Sequence, residues 1–253
     1  MNGVATLLFI WITKGKSPAY LGSSFAFIGP TSIIIANQGF EYAQVGFVVL
    51  GIIGCIMAFV IHRVGTKWIN VVLPPAAMGA VVALIGLELA HLTIQGGSIG
   101  ANLMTDTATA QNFAVFFITL GTAVLGSVLF KGFLSTIPIL IAIVVGYISA
   151  IAFGMVDFTP VMEASLFTMP HFQLAKFDMN AILTMLPVLL VLTSEHIGHQ
   201  VVTSNVVGRD LIKDPGLHRS LFADYFASAL SGLIGGVPTT PYGENIGVMA
   251  ITR

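Results

Sequence analysis

The fold is decided by the stretch Ile182-Leu-Thr-Met-Leu-Pro-Val-Leu-Leu-Val-Leu192, which is apolar enough to lie in lipid. It runs directly into Thr193-Ser-Glu-His-Ile-Gly-His199, which carries one carboxylate and two imidazoles. An ionisable side chain is expensive inside a bilayer, so one found there usually has a function. The stretch therefore predicts a membrane helix that carries functional groups.

The composition places the whole chain in a membrane. Of its 253 residues, 56% are hydrophobic and only 8% are charged, against roughly 25% charged in soluble domains. The mean hydropathy is +0.94, and several apolar runs reach the roughly 20 residues that a helix needs to cross a bilayer. Helices are indicated because the strands of a barrel would show alternating segments of about ten residues. We therefore predict an all-α polytopic membrane protein.

Other functional classes lack their sequence signals. The lone Cys55 allows no internal disulfide and argues against a thiolate metal site. The net charge of −1 and the lack of a basic tract do not suggest nucleic acid as a partner. No metal-ligand spacing, phosphate-binding loop, dinucleotide motif or Gly-x-Ser-x-Gly elbow occurs. We expect no metal and no cofactor, and transport by this chain would have to draw on an ion gradient.

Gly and Pro punctuation divides the sequence into about nine membrane elements, two of them short. We expect all of them to belong to one membrane domain, residues 1–253. The apolar windows are a partial helix before Lys14, Phe25–Ile35, Val45–Ile61, Val71–Leu89, Phe113–Phe130, Ile137–Phe153, Ala181–Val202, Leu221–Ile234 and a last piece from Tyr242.

The distribution of basic residues supports this segmentation. If the Lys14 loop is cytoplasmic, strict alternation also places the loops of Arg63, Lys131 and Arg209 in the cytoplasm. Eight of the ten Lys and Arg residues then lie inside, Lys176 lies outside and the last is the terminal residue. If one helix were missed or wrongly added, the loops after it would change sides and the basic residues would no longer lie mainly on one side. The pattern therefore predicts a multi-pass protein of the cytoplasmic (inner) membrane.

Two segments are interrupted by Gly and Pro. Ser23 to Pro30 is apolar but broken by Gly29-Pro30, and Gly235 to Gly243 is too rich in Gly and Pro for a helix. Interruptions in two places are typical of broken helices around a substrate site at the membrane midplane. A re-entrant kink and an ordinary loop are the alternative interpretation.

Glu195 and His199 are four residues apart, so on a helix they share one face and could line a cavity, whereas His196 points elsewhere. A carboxyl group desolvated in a membrane favours its protonated form near neutral pH. Glu195 could therefore carry a proton, with His199 as its hydrogen-bond partner or relay. In the alternative interpretation, Glu195 lies at the cytoplasmic end of its helix and reaches water.

Glu244 follows an interrupted segment, and a helix that begins near Tyr242 would place it in the first turn beside free backbone amides. A carboxylate and exposed amides together complement a cyclic imide, which has N–H donors and C=O acceptors along one edge. Tyr242 and Phe25 could stack on a planar ring. The alternatives are a helix-start acid that satisfies its own helix, and plain packing of the two aromatic rings.

The last ten residues carry a family signature. Glu244-Asn245-Ile-Gly247-Val-Met-Ala-Ile-Thr252-Arg253 resembles the pattern of the nucleobase/ascorbate transporter family: an acid, Gln or Pro, then Asn, any residue, Gly, four residues, Thr, and a basic residue or Gly. Further similarity, to bacterial uracil permeases of that family, runs along the chain in Pro74-Pro-Ala-Ala-Met-Gly79, Ser194-Glu-His-Ile-Gly-His199 and Asp214-Pro-Gly-Leu-His-Arg-Ser220.

This resemblance implies a fold of fourteen helices in two inverted repeats of seven, with a core and a gate domain, and secondary active transport of uracil by proton symport. It implies that Glu195 binds substrate and couples to protons with His199. It also implies that Glu244, with the backbone of Gly243 and Tyr242, forms the rest of the substrate site beside Phe25. The chain departs from the uracil permeases at Thr239-Thr240-Pro241, where they often have Asn-Thr.

By the same resemblance the chain corresponds to helices two to ten, so a fragment that lacks part of the gate domain is expected. Its expected partners are uracil or a related nucleobase, protons and the lipid bilayer, with a homodimer left open because the sequence does not set the oligomeric state. The alternatives are a purine, xanthine or anion carrier of this fold, a fragment unable to transport, and a membrane-embedded enzyme that uses Glu195 and His199 as acid and base.

Overall fold

The computed structural model describes residues 1–66, 68, 74–95, 101–165 and 172–252. These residues are mostly helical. The α-helices are α1 (Asn2–Ile12), α2 (Ile28–Asn37), α3 (Phe40–Val64), α4 (Pro75–Ile94), α5 (Ala110–Leu129), α6 (Pro138–Ala152), α7 (Thr159–Glu163), α8 (Met179–Met185), α9 (Val188–Val207), α10 (Leu217–Leu233) and α11 (Gly243–Thr252). The strands are β1 (Leu21–Ser23) and β2 (Thr239–Pro241), and shorter helical turns cover Phe25–Phe27, Gly132–Thr136 and Ile212–Gly216.

The apolar windows correspond to helices, with one informative difference. The window Ala181–Val202 is broken between α8 and α9 at Pro187, which has no N–H to donate and whose ring crowds the preceding turn. Helix α9 then continues to Val207. Glu195 is therefore well inside its helix, and the interpretation that placed it at the helix end is wrong. Residues 71–73 of the window Val71–Leu89 lie outside the described residues.

Close packing of α3 on α10 organises the core. A Cβ atom at Gly51 of α3 would lie 2.7 Å from the carbonyl oxygen of Tyr225, and one at Gly54 would overlap the Tyr225 ring. Small residues let membrane helices approach in this way. The main apolar cluster surrounds this contact and includes Phe47, Leu50, Met185, Leu192, Leu221 and Tyr225.

A second apolar cluster attaches the N-terminal segment to α10. It consists of Ala5 and Phe9 of α1, Leu21 of β1, and Ala223 and Ala227 of α10, all fully buried. Because Leu21 is part of this cluster, the first strand is held against α10, and its partner strand follows α10 in the sequence.

Three helical segments of the described chain are long and apolar enough to cross a membrane: Phe40–Val64, Ala110–Leu129 and Met179–Val207. Contacts divide the chain into two compact units, Met1–Gly86 with His171–Arg253, and Leu87–Pro170. The second unit contains the packed pair α5 and α6. The single membrane domain, the nine membrane elements and the sides of the loops stay predictions.

Candidate functional site

The two interrupted segments pair with each other. Strands β1 and β2 are antiparallel, with Gly22 opposite Thr240. Further hydrogen bonds extend the pair at both ends. At one end the amide of Ser24 donates to the carbonyl oxygen of Pro238 at 3.3 Å, and at the other the amide of Tyr242 donates to the carbonyl oxygen of Tyr20 at 3.0 Å. A short two-stranded sheet thus joins segments that are more than two hundred residues apart in the chain.

Helix α10 anchors the second strand. The Ser228 hydroxyl donates to the carbonyl oxygen of Thr239 at 2.8 Å, and the amide of Thr239 donates back to the Ser228 hydroxyl at 3.1 Å. Both residues are buried. Because β2 is fixed in this way, α11 begins at Gly243 at a defined place, with the backbone of Glu244 in its first turn.

Tyr242 is set by the first strand. Its hydroxyl lies 3.3 Å from that of Ser23, and its ring centroid lies 6.0 Å from that of Tyr20. Any Cβ atom at Gly22 would overlap the Tyr242 ring. Gly22 therefore leaves the space that the aromatic ring occupies.

Glu195 and His199 approach this sheet from α9. A Cβ atom at Gly243 would lie 2.9 Å from Nε2 of His199, so the imidazole lies directly against the start of α11. Since Glu195 precedes His199 by four residues, it shares that face of α9.

A cavity of about 250 Å³ lies between α9 and the paired strands. Among the predicted site residues it brings together Phe25, Glu195, His199, Tyr242 and Gly243. Its volume is close to the roughly 300 Å³ at which small-molecule sites begin. The Glu244 side chain is outside the described residues, and the roles of all these residues stay predictions.

Four further residues line the cavity and were not predicted: Ser23, Ser24, Thr240 and Pro241. Ser24 also caps the following turn, because its hydroxyl accepts a hydrogen bond from the amide of Ala26 at 3.3 Å. The sequence does contain a signal for them, since all four lie in the interrupted segments. What it lacks is the register that brings these segments together.

A larger cavity of about 450 Å³ lies near the end of α9, beside Ser204, Arg209 and Asp210. It includes none of the predicted site residues. We regard the smaller cavity as the candidate site, because it combines ionisable, aromatic and helix-start groups.

The face of α9 that carries His196 is closed. Nδ1 of His196 lies 2.8 Å from Oδ2 of Asp224 in α10, and both side chains are almost completely buried. The hydroxyl groups of Thr193 and Tyr225 lie 2.7 Å apart. These contacts fix α9 on α10, so its other polar face is presented to the cavity. Within the described residues, no group of three or more His, Cys, Asp or Glu side chains could hold a metal ion.

Comparison with known proteins gives a consistent result. Residues 1–253 match a family model described as "Permease family". The chain is 50% identical over its whole length to "Uracil permease" of Escherichia coli (strain K12), 49% to that of Paenibacillus larvae subsp. larvae and 44% to that of Bacillus subtilis (strain 168). It spans 58%, 61% and 60% of these relatives respectively. Because the family model matches the whole chain, this membrane protein belongs to the permease family.

Proposed function

We propose that this chain forms the substrate-binding part of a transporter that moves uracil across the cytoplasmic membrane together with protons. The observation that carries the proposal is the cavity in which Glu195 and His199 face Tyr242 and Gly243. The name "Uracil permease" on several relatives supports uracil as the substrate.

The chemistry of the cavity suits a cyclic imide. Uracil has N–H donors and C=O acceptors along its ring edge. Carboxylates at Glu195 and Glu244 would accept from the N–H groups, and the first amides of α11, from Gly243 onwards, have no helical partner and would donate to a carbonyl oxygen. This arrangement would read the hydrogen-bonding edge of the ring.

The two aromatic residues would hold the faces of the ring. Phe25 is 59% exposed, so its ring is available for stacking. Tyr242 is held by Gly22 and Ser23 from the other part of the site. A planar base gains both apolar burial and ring stacking between such groups.

Glu195 and His199 would couple binding to protons. A carboxyl group that is protonated from one side and discharged to the other carries one proton per cycle, and a neutral imidazole one turn away can accept or return that proton. No nucleotide hydrolysis enters this scheme, and a transmembrane proton gradient supplies the energy.

In the finer form of this proposal, the chain corresponds to helices two to ten of an inverted-repeat transporter of seven plus seven helices. The broken segments are β1 with α2 and β2 with α11, and both meet at the site. The loops of Lys14, Arg63, Lys131 and Arg209 are cytoplasmic. Alternating access then needs the remainder of the gate domain in addition to the 253 residues.

Uracil binding to the 253-residue chain tests the substrate directly. Equilibrium dialysis with labelled uracil should detect binding, and Glu195→Gln and Glu244→Gln should each weaken it by about 10- to 150-fold. This range corresponds to about 1.5–3 kcal/mol for a hydrogen bond to a charged group. Glu163→Gln is the matched control, because Glu163 is an exposed acid outside the cavity.

Competition and uptake complete the test. Unlabelled purines, xanthine among them, should not displace uracil from this chain. In the full-length relative, a pH gradient should drive uracil uptake, and the corresponding Glu→Gln changes should abolish that uptake. If both variants of this chain bind uracil as tightly as the unchanged protein, the proposed site is wrong. Displacement of uracil by xanthine would instead show that the proposed substrate is wrong and the proposed site is right.

A further inference from the structure

An apolar pocket of about 170 Å³ lies away from the candidate site, at the end of the bundle where α1 and α3 finish and α10 begins. Three helices contribute its walls. Its apolar lining consists of Ile12, Ala58, Phe59 and Phe222.

Basic residues line this pocket or are close neighbours of its lining residues, and we refer to this basic group as its mouth. The imidazole rings of His62 and His218 lie 4.4 Å apart between centroids, and both residues line the pocket together with Arg219. The guanidinium of Arg63 lies 4.8 Å from the ring centroid of Phe59, which forms part of the wall. Lys14 follows Ile12 by two residues.

The lysine and arginines of this group differ from the other basic residues at this end of the bundle. Lys16 pairs with Asp214 at 2.6 Å and Lys213 pairs with Asp210 at 3.3 Å. In the part of the chain that the structure describes, no carboxylate lies within 4 Å of Lys14, Arg63 or Arg219. The pocket mouth therefore carries positive charge that the described residues do not balance.

We infer that this pocket binds an anionic phospholipid of the surrounding membrane, with its phosphate at Arg63 and Arg219 and part of one acyl chain against Phe59 and Phe222. An anionic lipid combines the negative charge that suits the mouth with the apolar chain that suits the walls. Basic pockets between membrane helices on the cytoplasmic side bind such headgroups, and that leaflet is rich in anionic lipid. The basic loops were assigned to that side from the sequence alone.

Arginine is well suited to this role because its planar guanidinium can donate two parallel hydrogen bonds to a phosphate. Each of the two imidazoles has an N–H donor in its neutral form and can add to these hydrogen bonds. The inference rests on the placement of the protein in a membrane and does not depend on uracil as the substrate. A failure of the lipid inference would therefore not contradict the proposed function, and a failure of the proposed function would not contradict the lipid inference.

Lipid titration of the purified 253-residue chain in detergent tests the site. Phosphatidylglycerol and phosphatidylcholine with identical acyl chains are added, and bound lipid is counted by native mass spectrometry. Phosphatidylglycerol should bind more tightly, and Arg63→Gln/Arg219→Gln should weaken its binding by about 25-fold, at about fivefold for each arginine removed. Added salt should weaken binding in the same direction.

Lys213→Gln is the matched control, because it removes a basic residue from the same end of the bundle but outside the pocket. This change should leave phosphatidylglycerol binding unchanged. If the double variant does not fold, Arg63→Gln alone decides with its fivefold loss, since Arg63 is exposed. The inference is overturned by equal binding to the variant and the unchanged chain, by equal affinity for the two lipids, or by glycerol phosphate competing as strongly as the whole lipid.

Discussion

Helix α9 has two polar faces that differ in their surroundings. On one face, His196 is completely buried and lies 2.8 Å from Asp224. On the other, Glu195 and His199 are half-buried and line a cavity of about 250 Å³. Neighbouring ionisable residues therefore have different environments, because each residue of a helix is rotated by about 100° from the one before it.

A polar residue in a membrane helix can therefore have one of two roles, in helix packing or in ligand binding. A closed pair such as His196 and Asp224 makes its hydrogen bond inside the protein, through Nδ1 and Oδ2, and contributes to the packing of two helices. A group that lines a cavity can contact a ligand. Changes on the closed face should therefore lower stability, whereas changes on the cavity face should lower binding.

The largest effect is expected on the closed face. Asp224→Ala leaves the imidazole of His196 buried without its partner, which should lower the free energy of unfolding by about 1–3 kcal/mol. Unfolding in mixed detergent measures the change. Asp224→Asn, which keeps an oxygen acceptor, is the control and should lose less. Equal stability of Asp224→Ala and the unchanged chain would contradict a closed pair.

A smaller effect, and of another kind, is expected on the cavity face. His199→Gln should weaken uracil binding about fivefold, corresponding to about 1 kcal/mol for one neutral hydrogen bond. The free energy of unfolding should change little, because His199 is only half-buried. Calorimetric binding and detergent unfolding on the same sample separate the two effects. A loss of stability as large as that of Asp224→Ala would remove the distinction between the faces.

The smallest effect is expected outside both faces. The carboxylate of Glu41 accepts a hydrogen bond from Nζ of Lys176 at 3.1 Å, and this bond raises the pKa of Lys176 above its usual value. A raised lysine pKa stabilises the fold below the unfolded value of about 10.4, and the stabilisation is lost as pH rises through the folded value.

Glu41→Gln should therefore lower the pKa of Lys176, which NMR titration of its side chain would measure. Any stability difference from the unchanged chain should be confined to pH values below that titration. Uracil binding should stay the same. A change in uracil affinity would show that effects spread beyond the two faces of α9.

Much of the helical framework could be predicted from the sequence because its cause is local. Runs such as Val45–Ile61 and Phe113–Phe130 must satisfy their backbone within lipid, and a helix does so within one segment. The break at Pro187 was not predicted, since prolines are tolerated inside membrane helices when neighbouring helices absorb the kink. Whether a proline kinks or ends a helix depends on those neighbours.

The candidate site was predictable in its ingredients but not in its assembly. Glu195 and His199 stand out because ionisable groups are costly in lipid. Tyr242 and Gly243 stand out because they lie at the end of an interrupted segment, directly before Glu244. Ser24 and Thr240 also lie in the interrupted segments, but the register that brings these two segments together cannot be derived from the sequence.

The sequence by itself determined that the chain is a membrane protein, where most helices lie, and which face of α9 carries Glu195 with His199, because hydropathy and the helical period are properties of neighbouring residues. The tertiary structure alone decided that Gly22 lies opposite Thr240, that Tyr242 packs on Gly22, and that His196 pairs with Asp224. These are contacts between distant parts of the chain, and they depend on register and close packing, which no local pattern specifies.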